Sequence, residues 1–280
     1  LVGEGENASQ SEAAMWNIIG GYALLGNAGG ASGCGSLVGS LSAVSDDGST
    51  AVGTSWQVCR TSPQRWTDGV GLTLLAKQDF NSSARALCLS GDGLVAGGWD
   101  RGLATGSGST NRACVWTDDA TQWFPCVTPT NPEGYGEVVA MNSDGSVFGG
   151  TMLTASGYQA FRYTPDGGLE QLAPLPGVPG GQYRVTALSD DGSVAVGYRN
   201  ELTSVEPVIW FPGQEPVKIL DYLAANGITV SPFSQMRAAT AISADGTKVC
   251  GYGAFDSWLM ELDYVWSDVG NALAGTNGEP

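Results

Sequence analysis

Apolar and polar positions alternate with period two along most of the chain, in short runs broken by Gly, Asp and Ser. That period belongs to strands rather than helices, which would repeat at 3.6 residues. One passage, ALSDDGSVAVG at Ala187 to Gly197, is written five times; the other copies start at Ala43, Cys88, Ala140 and Ala241. Aligned on Asp47, Asp92, Asp144, Asp191 and Asp245, every copy has glycine next and a second glycine six residues after the aspartate. Asp-Gly between two apolar runs predicts a tight hairpin, because the turn needs positive φ and glycine adopts it without strain. Two residues before each aspartate stands Ser45, Ser90, Asn142, Ser189 or Ser243, whose short polar side chain can bond the turn backbone. The residues just before it alternate a small position (Ala43, Cys88, Ala140, Ala187, Ala241) with a large apolar one (Val44, Leu89, Met141, Leu188, Ile242), as a strand covered on both faces requires. The five aspartates are therefore read as structural turns, not as catalytic or metal-binding groups.

The aspartates recur at intervals of 45, 52, 47 and 54 residues. That spacing suits the blades of a propeller or another stacked array. After each hairpin comes an aromatic strand, a turn and a short apolar strand, as in PQRWTDGVGLTLL and PVIWFPGQEPVKIL. Trp66, Trp116, Tyr163 and Trp210 share one column and read as bulky fillers between blades. From Gly3 to Trp16 is the same 13 residues that separate Gly53 from Trp66. The chain is thus expected to enter inside a repeat, at its second strand. In the last repeat Trp266 is the expected column member, with SWLMEL an elongated second strand or an insertion. DYLAANG, stopped by Gly227, is the one stretch that predicts a helical turn. The expectation is an all-β, single-domain β-propeller over 1–280 with about six four-stranded blades, or five with a terminal extension. The repeats run approximately 1–35, 36–83, 84–136, 137–183, 184–237 and 238–280. Two long polar connections, Leu103 to Arg112 and Leu175 to Tyr183, are where binding specificity is expected.

The recurring A-x-S-x-DG-S-x-x-x-G, followed by an aromatic strand of the form A-F-x-W, resembles the HAF-type extracellular repeats of bacterial secreted and autotransporter-associated proteins. The resemblance covers nearly the whole chain, and its motifs are structural. It implies a propeller-like protein of the cell surface or exterior and carries no reaction with it. The pattern departs from the family at Gly91-Asp92, where Leu94 stands in place of the usual serine.

Composition narrows the chemistry. The chain has no histidine, which removes Ser-His-Asp and Cys-His machinery and histidine-ligated zinc. A formal charge of −16 repels nucleic acid and anionic membranes, and no apolar run is long enough for a membrane span. Six cysteines in a chain of secreted character invite disulfides. Cys114 and Cys126 flank the hairpin TDDATQ and could face each other across its ladder, and Cys34 and Cys59 form a second candidate pair. Cys88 and Cys250 occupy small or apolar columns and are expected to behave as core residues. The carboxylate pairs Asp46-Asp47, Asp118-Asp119 and Asp190-Asp191 are neighbours that splay apart, whereas a glycosidase needs two carboxyls roughly 5–10 Å apart across a cleft. The oxygen-rich turns offer calcium the hard ligands it takes, although no residue is assigned a catalytic, cofactor or metal role.

These readings converge on a non-catalytic extracellular propeller with a structural or binding role, whose partners are proteins or carbohydrates of the cell surface. A subunit of a surface filament, assembled by strand donation through the terminal strands, is one alternative. A polysaccharide hydrolase or lyase working with carboxylates is the other.

Overall fold

The computed structural model describes residues 1–6, 11–17, 20–26, 28, 39–57, 60–102, 111–117, 120–123, 134–178, 180–201, 204–229, 235–254 and 256–262. Among these, the strands form six antiparallel sheets, taken in chain order. The first sheet holds β1 (Val2–Glu6), β2 (Ser11–Asn17) and β3 (Gly21–Gly26). The second holds β4 (Gly39–Val44), β5 (Thr50–Gln57), β6 (Arg60–Thr67) and β7 (Gly71–Leu74). The third comprises β8 (Ala84–Leu89), β9 (Val95–Asp100), β10 (Arg112–Thr117) and β11 (Ala120–Trp123). The fourth comprises β12 (Gly136–Met141), β13 (Phe148–Thr154), β14 (Gly157–Thr164) and β15 (Gly168–Gln171). The fifth has β16 (Gln182–Leu188), β17 (Ala195–Glu201), β18 (Ser204–Trp210) and β19 (Val217–Lys218), and the sixth β20 (Met236–Ile242), β21 (Lys248–Gly253) and β22 (Ser257–Glu261). The helix α1 (Ile219–Ala225) follows β19 and ends at Asn226 before Gly227, at φ +75°.

Each repeated passage is the hairpin joining the first two strands of a sheet. Its turn glycine takes positive φ every time, from +67° at Gly192 to +76° at Gly93. The serine at the turn's start donates its hydroxyl to the aspartate Oδ1, at 2.7 Å for Ser45–Asp47 and 2.6 Å for Ser189–Asp191. The same oxygen accepts a backbone N–H two residues on, from Ser49, Leu94, Ser146, Ser193 or Thr247. The serine Oγ also accepts the N–H of the returning strand, for example Val194 at 2.9 Å. In the fourth sheet Asn142 Oδ1 does this for Val147.

The second glycine column has a separate cause. A β-bulge interrupts all five first strands at one equivalent place, between Leu41 and Ala43, Ala86 and Cys88, Val138 and Ala140, Val185 and Ala187, and Ala239 and Ala241. The extra residue swings a carbonyl over the partner strand. A Cβ on Gly53, Gly98, Gly150, Gly197 or Gly251 would fall on the carbonyl oxygen of Ser40, Arg85, Glu137, Arg184 or Ala238. Glycine is therefore required at the second strand by close approach, whatever its φ.

The sheets stack face to face in chain order, and the first strands of neighbouring sheets, from β4 to β20, touch in an unbroken series. One apolar cluster fills each gap between consecutive sheets, so the core is layered. The aromatic column fills those gaps. Trp116 is fully buried between the second and third sheets and donates its indole N–H to Ala76 O at 2.7 Å. Trp210 does the same to Ala173 O at 2.9 Å, and Tyr163 stacks on Phe148 with centroids 4.8 Å apart. Such a ring removes roughly 150–250 Å² from water. At ~25 cal/mol per Å² that favours stacking by about 4–6 kcal/mol before the entropy of ordering is subtracted.

Two expectations are corrected. The member of this column in the sixth sheet is Met260, paired with Val249 as Trp210 is with Ala195. SWLMEL is thus the third strand, reached by a shorter hairpin, and Trp266 lies outside the described residues. Gly251 precedes Met260 by nine residues where 13 is usual, and removing an even number keeps the side chain on the same face. The second correction concerns Cys114, whose ladder partner is Trp123, because the pairing of Thr117 with Ala120 fixes that register. Cys114 is a free, fully buried thiol, and burial pushes its pKa well above the usual range. Cys34, Cys59 and Cys126 lie outside the described residues. Cys88 is buried and free, with a pKa pushed up to about 12 by desolvation. Gly97 opposite it leaves the space that Cys88 Sγ and Val138 occupy.

Candidate functional site

The first strands have two unlike ends. At one end the Asp-Gly turns line up and bond to each other: Asp46 N–H to Gly91 O at 2.8 Å, Asp92 N–H to Ser143 O at 2.9 Å, and Asp190 N–H to Ala244 O at 2.8 Å. Ser143 N–H donates to Asp190 Oδ1 at 2.8 Å, so one carboxylate of an adjacent pair ties two turns together. Bonds within each turn hold Asp144 and Asp191 below the usual carboxylate range, the first chiefly through Ser146 and the second, against the opposing effect of burial, through Ser189 and Ser193. Asp245, bonded by Ser243 and Thr247, is lowered to about 2. Asp47 and Asp92 sit in the same turn position. Among the described residues, no three acidic, cysteine or histidine side chains gather as a metal-ligand group.

At the opposite end, where β12 and β16 begin, lies an open cavity of about 320 Å³. β12 contributes Glu137 to its wall, and Tyr135 just ahead of it. Tyr135 is bridged to Arg112, and Gly136 N–H donates to Asn111 O at 3.0 Å, which brings the third sheet to the rim. The β13–β14 hairpin supplies Thr151 and Tyr158, and the β16–β17 pair supplies Gln182, Arg184, Tyr198 and Asn200. Their registers explain the grouping: Glu137 opposes Thr151, Arg184 opposes Tyr198 and Gln182 opposes Asn200. Glu137 and Arg184 hold equivalent places on neighbouring first strands and form an ion pair at 2.8 Å.

The wall behind is held firmly. Tyr183 donates its hydroxyl to Val178 O at 2.8 Å and accepts Leu175 N–H at 3.2 Å, so the connection leading into β16 is pinned. Burial raises the Tyr183 pKa, which keeps that hydroxyl protonated for the bond. Arg199, almost wholly buried, donates to Gly180 O at 2.9 Å and to Glu201 and Glu206 at 2.7 and 3.0 Å. Desolvation works against its charge, but the two carboxylates outweigh it and raise its pKa. Thr151 donates its hydroxyl to Tyr183 O at 3.1 Å. Asn111 Oδ1 accepts from Arg101 at 3.2 Å, and Arg101 and Arg85 lie over the Trp99 ring, 5.4 and 5.8 Å from its centroid.

Glu137 is the single carboxylate among the described lining residues, and Arg184 holds it as an ion pair. A paired-carboxylate hydrolysis, which needs a second carboxyl across the cleft, is not assembled from these residues. The cavity offers instead hydrogen-bonding amides and phenols on tyrosine rings. Of the residues singled out in the sequence only Tyr183, the last residue of one long connection, lines it, and Arg112, the last of the other, reaches its rim by bridging Tyr135. Residues 103–110 lie outside the described residues. A signal for it was nevertheless present: the residue after the second glycine varies as Thr54, Trp99, Thr151, Tyr198 and Tyr252, and two of these line the cavity.

No protein-family model and no curated protein matches the chain. Solved structures do match. TolB from Acinetobacter baumannii aligns over 92% of this chain and 59% of its own, with a TM-score of 0.53 and 13% identity. A protein described as TolB from Agrobacterium tumefaciens aligns over 80% of this chain and 76% of its own, with a TM-score of 0.52 and 14% identity. The chain is a β-propeller. At such identity the likeness is one of fold, and this chain spans only part of the A. baumannii protein. No helix among the described residues is long and apolar enough to cross a membrane.

Proposed function

We propose that this propeller is a non-catalytic binding module of the cell exterior, related to the HAF-type repeats, and that it binds its ligand in the cavity where β12 and β16 begin. The observation that carries this reading is the contrast between a braced wall and unengaged polar groups. Tyr183, Arg199 and Thr151 fix the backbone, while the side chains of Gln182, Asn200, Tyr158 and Tyr198 form no side-chain hydrogen bond within the described structure. Pre-organised walls lower the entropic cost of binding, and polar groups converging on a concavity supply orientation. A single ion-paired carboxylate favours binding over acid–base catalysis. The test is chemical-shift mapping of the ¹⁵N-labelled chain against a mixed library of saccharides, short peptides and nucleosides. Perturbations grouped on Glu137, Thr151, Tyr198 and Asn200, with the bound compound recovered unchanged, are expected. Perturbations grouped on the Asp-Gly turns, or conversion of the compound, would overturn the reading.

A further inference from the structure

Resting on the cavity as the binding site, we infer that its ligand is a neutral saccharide of one or two rings. The first ground is charge. Glu137 and Arg184 neutralise each other at 2.8 Å, so the lining offers a phosphate or carboxylate no uncompensated cation. The chain's −16 adds a long-range field against anions. The second ground is the hydrogen-bonding inventory. Gln182 and Asn200 each present an acceptor oxygen and two N–H donors, and the Tyr158 and Tyr198 hydroxyls both donate and accept. Sugar hydroxyls are likewise donors and acceptors together, so neighbouring hydroxyls match such groups whichever way their protons point. The paired guanidinium and carboxylate of Arg184 and Glu137 present further donor and acceptor atoms suited to adjacent hydroxyls.

The third ground is shape. Tyrosine rings give flat apolar surface with a polar tip, and the C–H faces of a sugar ring pack on such surfaces. The described lining has no aliphatic side chain that would anchor an apolar residue of a peptide. At about 320 Å³ the cavity is near the low end of the ~300–1,000 Å³ usual for ligand sites. An extended peptide advances about 3.3 Å per residue and would run out of this space within a few residues.

The experiment is titration calorimetry of the intact chain against neutral disaccharides built from glucose, galactose, mannose or N-acetylglucosamine. A glucuronate-containing disaccharide and a set of neutral tripeptides run alongside. Heat from at least one neutral disaccharide is expected, weakened tenfold or more in both Asn200→Ala and Tyr198→Ala, with circular dichroism unchanged. Tyr198→Phe, which keeps the ring and removes the hydroxyl, is expected to lose only a few-fold. Preference for tripeptides or for the glucuronate compound, with the same two variants losing it, overturns the saccharide inference while leaving the cavity as the binding site. Silence from every saccharide overturns the inference whatever the wider library binds. Saccharide binding that both variants retain places the ligand elsewhere and overturns the inference and the cavity reading together.

Discussion

The two ends of the same first strands follow opposite rules. At the turn end, five repeats write nearly the same residues, and the turn side chains bond to the chain itself. Ser189 and Asp191 answer each other and the backbone, and the turn of the fifth sheet is tied to those on either side. At the cavity end, equivalent positions hold Ser40, Arg85, Glu137, Arg184 and Ala238, and the side chains of Gln182, Asn200, Tyr158 and Tyr198 form no side-chain hydrogen bond among the described residues. Hydrogen bonds closed within the fold contribute stability and specify one geometry. Groups left open contribute little to stability and are available to a ligand. The lesson is that repetition marks what the architecture needs, and divergence at a shared position marks where it is free to bind.

The sharpest way to break this comparison is at the second glycine column. Gly197→Val places a Cβ on Arg184 O and should cost roughly 3 kcal/mol or more, or prevent folding. Gly213→Ala, at φ +66° in open space, should lose only about 1 kcal/mol through backbone strain. Urea denaturation of both variants checks this, and equal losses would remove close approach as the cause of the column. Next in size, Asp191→Ala should lose about 1 kcal/mol from the missing turn bonds and leave ligand affinity unchanged. Affinity falling with Asp191 while the melting temperature holds would reverse the roles assigned to the two ends.

Acid should act on the turn end before the cavity end. The turn aspartates Asp47, Asp144, Asp191 and Asp245 have folded pKa values below the usual carboxylate value, with Asp245 at about 2. Lowered folded values mean that their stabilising effect is fully present above the unfolded pKa of about 3.9. It is lost as pH falls through the folded values towards about 2. The melting temperature should therefore drop between roughly pH 4 and pH 2. Asp245→Asn should make that drop shallower, and an unchanged slope would show that the turn bonds do not govern acid stability. The smallest effect is expected at the other end. Asn200 is exposed, and Asn200→Ala should stay within about 0.5 kcal/mol of the parent by urea denaturation. A larger loss would mean that the cavity end is structural as well.

The sequence by itself determined the repeat, its turns and the strand order within each sheet. Those features depend on local chemistry: Asp-Gly with a preceding Ser or Asn closes a hairpin wherever it occurs, and period-two alternation sets the faces. Trp116 and Trp210 were legible as gap fillers for the same reason, since a bulky ring at one phase of a buried strand has only the neighbouring sheet to meet. The bulge was not legible, because it depends on how two strands share a ladder, although the glycines that accommodate it stand plainly in the text. Register likewise decided against a partner for Cys114 across its ladder at Cys126, and it gave the column of the sixth sheet to Met260. The cavity was assembled by tertiary structure, and the sequence marked only the variable position after the second glycine. Asn111, Glu137, Thr151, Tyr158, Arg184 and Asn200 come from three sheets, and among them the repeat spacing relates only Glu137 and Arg184. They meet because stacking brings equivalent ends of successive first strands side by side, where Glu137 can find Arg184 from 47 residues away.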